Sequence, residues 1–142
     1  MTFPTGSIIG FNNAVSTTEV GGITADTWVT TGLSVSITPK KSNSKIYVLA
    51  TWGVAINNPG HFAYKVVRTG PTSQDLAIQA AYTSVGWAGG THSYSAIDTP
   101  SSTSECTYTV YIYVDQNTSN FMWNYDSRFN STANLMVMEI QQ

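Results

Sequence analysis

Two histidines, one cysteine and eight acidic residues are nearly all that this 142-residue chain offers for acid–base, nucleophilic or metal chemistry. His61 follows the turn-forming run Asn57-Asn58-Pro59-Gly60, and His92 stands near the start of an alternating stretch. No His-x-x-x-His, cysteine pair or carboxylate cluster has the spacing that zinc or iron sites use. Catalysis needs an acid, base or nucleophile tuned by its neighbours. Asp98 and Asp115 instead flank turns at the ends of strand-like runs, where Asp commonly bonds its own backbone. A glycosidase pair would have to be assembled from such scattered carboxylates. Gly86-Trp87-Ala88-Gly89-Gly90 is not a phosphate loop, because no Lys-Ser/Thr follows and no helix begins there. Cys106 lies inside an alternating run and reads as a small buried apolar residue. A single cysteine permits no intrachain disulfide. The expectation is a chain with no catalytic residue, no metal and no cofactor.

Aromatic residues have more functional pull. Tyr64, Tyr82, Trp87, Tyr94, Tyr111, Tyr113 and Trp123 are many for one small domain. Rigid aromatic faces suit glycan or protein contacts, since they offer large area at low entropic cost. Most of them are expected to fill a core or a subunit contact. Trp87 and Tyr82 are the exceptions, because their segment is loop-like, and they are the candidate contacts to a glycan or partner. The net charge of -2 excludes the electrostatic footprint of a general nucleic-acid binder. The one basic cluster, Lys40, Lys41 and Lys45, reads as a solvated turn after Pro39.

The elements that must position these residues are strands. Charged residues make up only 10% of the chain, against about 25% in average domains. Ser and Thr, about a quarter of the residues, take their place. Thr favours strands and Ser favours turns, whereas the helix-forming Lys and Glu are scarce. Short runs of period two, separated by Gly, Pro, Asn and Ser clusters, predict a sandwich or barrel. Leu33, Val35 and Ile37 alternate with hydroxyls between Gly32 and Pro39. Residues 45–56 form the strongest strand, residues 27–31 with Trp28 a weaker one, and residues 62–69, 91–98, 105–115, 120–125 and 134–141 supply others. Residues 76–90 are ambiguous, with Leu76-Ala77-Ile78 readable as strand or as one helical turn. About eight strands result, enough for two packed sheets. The expected fold is all-β: a single-domain antiparallel β-sandwich, jelly-roll-like, over residues 27–142. Residues 1–26 form an N-terminal arm or an edge strand. The N-terminus has no basic or apolar signal region, and the longest apolar run is too short for a membrane helix. Neither export by that route nor membrane insertion is expected.

Three stretches, in order, resemble a small domain common in tail fibres and other virion proteins of tailed phages. The first is Thr31-Gly32-Leu33-Ser34-Val35-Ser36-Ile37-Thr38-Pro39, followed after Ser42 and Ser44 by Lys45-Ile46-Tyr47-Val48-Leu49. The second is Ile97-Asp98-Thr99-Pro100, a Ser/Thr loop and Thr107-Tyr108-Thr109-Val110. The third is the ending Asn134-Leu135-Met136-Val137-Met138-Glu139-Ile140. The loop around Trp87 departs from that pattern. The resemblance implies a non-enzymatic structural protein, made in a bacterial cytoplasm and displayed on the virion. It would serve as a tail-fibre or knob module, or as head decoration, with other virion proteins as partners. A role in host attachment would fit. The alternative is a carbohydrate-binding module for a bacterial surface glycan.

A final expectation comes from strands that break the one-face rule. A two-sheet sandwich should alternate apolar with polar residues. Around residues 45–56, Tyr47, Leu49 and Ala55 are apolar on the face opposite Ile46, Val48 and Trp52. In the last strand, Met136, Met138 and Ile140 oppose Leu135 and Val137. Soluble monomers seldom tolerate the resulting patch. Tyr47, Leu49, Met136 and Met138 are therefore the candidate subunit interface of a homo-oligomer. The resemblance implies a trimer. Cover from the chain's own middle segment is the competing explanation.

Overall fold

The computed structural model describes residues 3–56, 59–84, 88–115, 118–123 and 131–142. They hold eleven strands and no helix: β1 (Ile8–Ser16), β2 (Val20–Ile23), β3 (Val29–Ile37), β4 (Lys45–Ile56), β5 (Gly60–Thr69), β6 (Gln74–Asp75), β7 (Gln79–Thr83), β8 (Ala88–Asp98), β9 (Cys106–Val114), β10 (Thr118–Trp123) and β11 (Ala133–Ile140). All pairings are antiparallel.

The first sheet runs β1-β11-β4-β8. The short β10-β2 pair extends it where β4 outruns β11. The second runs β3-β9-β5, with β7 and β6 sharing the far edge of β5. Setting aside β2, β6 and β10, the chain crosses between sheets at every connection except β5 to β7. That winding is the jelly roll, which folds two Greek keys into a double sheet. The all-β sandwich expected from the alternation is the fold observed.

Period two explains the packing. In β9, Cys106, Tyr108, Val110, Ile112 and Val114 face inward and are buried. Ile46, Val48, Ala50, Trp52 and Val54 do the same from β4, and Ala133, Leu135 and Val137 from β11. Sheets packed face to face need this interdigitated layer. Trp52 meets Tyr64 edge-on at 4.6 Å between ring centroids, which helps set the spacing between the sheets. Burial raises the Tyr64 hydroxyl far above its ordinary pKa and pushes Tyr94 up to about 12, so both stay neutral.

Charge enters this layer at two places. Arg68 continues the inward phase of Phe62, Tyr64 and Val66, and its Nε lies 2.6 Å from Asp98 Oδ2. Tyr108 donates to the same oxygen at 2.8 Å, and the other Arg68 nitrogens donate to Thr72 and Gln74. The turn role expected for Asp98 is only half of its work. Oδ1 does accept from the Thr99 amide, but Oδ2 is buried in an ion pair that ties the two sheets together. Glu139 likewise follows the inward phase of β11 and is fully buried. Its Oε1 accepts from the amides of Lys40 and Lys41, at 2.7 and 3.2 Å. Lys40 Nζ donates to the Ile9 carbonyl. The turn after Pro39 is thus fastened by its backbone, while Lys40, Lys41 and Lys45 stay exposed as expected of a solvated turn. Gly10 lies opposite, where a Cβ would stand 2.8 Å from Glu139 Oε2.

Two sequence readings need correction. Leu76-Ala77-Ile78 is neither strand nor helical turn: it is an irregular link between β6 and β7, with Leu76 buried and bonded to Val66. Gly89 and Gly90 belong to β8, which pairs with β4 from Ala88 onward, so that strand begins before Thr91. Residues 8–16 of the N-terminal segment form β1, an edge strand on β11, with Ile9 buried and Ile8 exposed.

Candidate functional site

Two surfaces gather the residues singled out from the sequence. The first is the outer face of the β1-β11-β4-β8 sheet. Cross-strand register puts Phe11, Met138, Tyr47 and Ile97 in one row across four strands. The next row is Asn13, Met136, Leu49 and Ser95. Directly opposed residues share a face and touch, so the four expected interface residues form one block at the centre of the sheet. Tyr47, Leu49, Met136 and Met138 are half-buried by one another. Their outer neighbours are not: Phe11 is 58% and Ile97 61% exposed, and Ile8 and Val15 are also open to solvent. Ala55 does not join them, because it is buried. Residues 76–84 and 88–90 run along the edges of β5 and β4, not over this face, so the middle segment does not cover it there.

Sequence reading missed Phe11, Ile97, Ile8 and Val15 as parts of the patch. β1 shows no clean alternation, since its register shifts between Ile8 and Gly10. Such bulges turn side chains to the other face and hide the period.

The second surface is a cavity of about 230 Å³ between the sheets at the β7–β8 side. Val54, Phe62, Ala81 and Gly89 give it apolar walls, while Tyr82, Thr83 and His92 supply polar atoms. Tyr82 is 58% exposed, and its ring lies 4.7 Å from that of His61. Asp115 accepts from the His61 amide at 2.9 Å and holds His61 Nδ1 at 2.7 Å, clipping the start of β5 to the end of β9. His92 packs against Phe62 and Tyr64 at 5.4 and 5.8 Å. Burial lowers its pKa below the ordinary 6.5, which keeps the ring neutral and able to both donate and accept. The arrangement offers one open aromatic face, a neutral imidazole and a hydroxyl beside an apolar hollow. Such a site can seat a ring-sized ligand. Trp87 lies outside the described residues, as does the side chain of Trp123.

Among the described residues no three His, Cys, Asp or Glu side chains are grouped to hold a metal ion. The Cys106 thiol is buried, and that burial is the main reason its pKa rises. No helix among those residues is long and apolar enough to cross a membrane. No protein-family model matches the chain, and a search of curated proteins finds no match.

Proposed function

We propose that this chain is a non-enzymatic structural subunit displayed on a tailed-phage particle, as a tail-fibre or knob module or as head decoration. The observation that carries the assembly role is the row Phe11–Met138–Tyr47–Ile97 on an otherwise complete sandwich. A working surface of this kind needs a partner. The phage context comes from the three sequence stretches around residues 31–49, 97–110 and 134–140. Antibody-gold labelling and protein mass spectrometry of purified particles test it. The subunit should be found in the particles, and labelling should fall on head or tail. Its absence from washed particles would sink the proposal.

A second reading, glycan recognition, is favoured by the exposed Tyr82 ring beside the cavity. It is compatible with the first. A glycan array should then show binding that Tyr82→Ala weakens several-fold, as one aromatic contact contributes about 1 kcal/mol. The protein should turn over no bacterial polysaccharide; hydrolysis that disappears with His92→Ala or Asp115→Ala would require an enzyme instead.

A further inference from the structure

Tyr82 borders the cavity, but strand alternation turns its ring away from it. In β7, Ala81 and Thr83 follow the inward phase, opposite Phe62 and Gly60 of β5, and line the cavity. Tyr82 is out of phase with them and pairs with His61, so both rings stand on the outer face of the sheet. Tyr82 is 58% exposed, and the His61 side chain 65%. Asp115 extends the row from β9, its amide bonded to the His61 carbonyl. Its carboxylate, partly exposed, grips the His61 amide at 2.9 Å and Nδ1 at 2.7 Å. That clip fixes the imidazole and leaves Nε2 as its second polar atom. Ala80, in the row alongside, is exposed and small, which leaves space beside the taller rings.

We infer that this outer row binds an uncharged hexopyranose unit of a glycan, stacked on Tyr82 and held through its hydroxyls by His61 Nε2 and Asp115. The inference rests on the glycan reading; it moves the site from the cavity to the outer face and names the class of sugar. A pyranose presents an apolar C–H face and a rim of hydroxyls that both donate and accept. The open Tyr82 ring suits the first, and a fixed imidazole nitrogen beside a carboxylate suits the second. The cavity suits neither. Thr83 and His92 are the inward polar side chains among its described walls, so most sugar hydroxyls would lose water there without gaining a partner. Charge selects the sugar. Asp115, Asp26 and Asp75 give this end of the sheet its acidic groups. Lys65, the only Lys or Arg facing outward from β3, β5, β6, β7 and β9, is bound to Asp75 and stacked on Trp28. A uronate or other anionic sugar would meet carboxylates with no cation to spare, whereas a neutral one would not.

The chain's two histidines report on the two surfaces separately, His61 on the outer row and His92 in the cavity. An array carrying neutral glucan, mannan and galactan beside acidic alginate and polygalacturonate comes first. At least one neutral polymer should bind, and the acidic ones should not. The full chain with nitrogen-labelled imidazoles is then titrated by NMR with soluble oligosaccharides of the same neutral polymers. His61 signals should move and His92 signals should stay in place. His61→Ala should weaken binding about tenfold, as the loss of one well-formed hydrogen bond does. Its melting temperature should hold, because the ring is mostly exposed. A His92 shift that equals or exceeds that of His61 puts the sugar in the cavity; it overturns the inference and spares glycan recognition. Preference for the acidic polymers, or full binding by a folded His61→Ala, overturns it in the same way. Binding to none of the five polymers removes the glycan reading and this inference with it.

Discussion

The outer face of the β3-β9-β5 sheet and the outer face of the β1-β11-β4-β8 sheet are made of the same kind of strand, yet they treat their side chains differently. On the first, Ser34 pairs with Thr109 at 2.9 Å and Ser36 with Thr107 at 2.7 Å. Lys65 bonds Asp75 at 2.5 Å and stands over the Trp28 ring, which itself leans on Tyr113. The Tyr113 hydroxyl donates to Asp26, and that bond is the main reason its pKa is raised. Each group named has a partner within the chain. On the second, the central rows present Phe11, Met138, Tyr47 and Ile97, and Met136 beside Leu49, with Phe11 and Ile97 largely exposed at the ends of their row. One face is finished by its own side chains; the other leaves Phe11 and Ile97 largely exposed. The second is therefore the face on which the proposed assembly role rests.

The largest expected effect comes from cutting the tie that holds the two faces back to back. Arg68→Met leaves Asp98 buried without its cation and should cost about 3–5 kcal/mol in urea unfolding. Adding Asp98→Asn should return much of the loss. A change below about 1 kcal/mol would show that apolar packing alone fixes the sheets.

Next in size is a polar substitution on the unfinished face. Phe11→Ser should weaken self-association at least tenfold by sedimentation, while the melting temperature of the isolated chain hardly moves, since Phe11 is mostly exposed there. Equal association by variant and parent would return this face to solvent. The matching change on the finished face is Thr109→Val. It takes a partner from Ser34 and should cost about 0.5–1.5 kcal/mol without altering the oligomeric mass. A mass change there would reverse the assignment of the two faces.

The smallest effect is pH-dependent and lies between the faces. The folded state lowers the His92 pKa below 6.5, so the unfolded chain takes up the proton more readily. Stability is fully present above pH 6.5 and declines as pH falls below it. His92→Asn should flatten that part of the pH–stability curve. An unchanged slope would mean that His92 is not its source.

Much of the fold was legible in the alternation itself. Cys106 to Val114 reads as a buried strand from residue types alone, and so does the inward phase of Leu33, Val35 and Ile37. That same phase would have put Arg68 and Glu139 inside, had period been trusted over polarity. A charge is read as exposed until its partner is known, and the partners lie far off in sequence: Asp98 for Arg68, and the amides of Lys40 and Lys41 for Glu139. Half of the candidate interface was legible for a related reason. Tyr47, Leu49, Met136 and Met138 break alternation within their own strands, which needs no knowledge of neighbours.

What the sequence determined by itself is therefore local: strands rather than helices, the inward face of the regularly alternating ones, and an excess of apolar residues on two of them. Side-chain period and residue type are properties of a few consecutive residues, and they survive without the rest of the chain. What only the tertiary structure decided is which excess residues stand side by side. Cross-strand register aligns Phe11 with Met138, Tyr47 and Ile97, from strands widely separated in the chain, and turns scattered apolar residues into one continuous surface. Register depends on the pairing of whole strands and on the bulge in β1, and a single residue of slip would move every side chain of a strand to the other face.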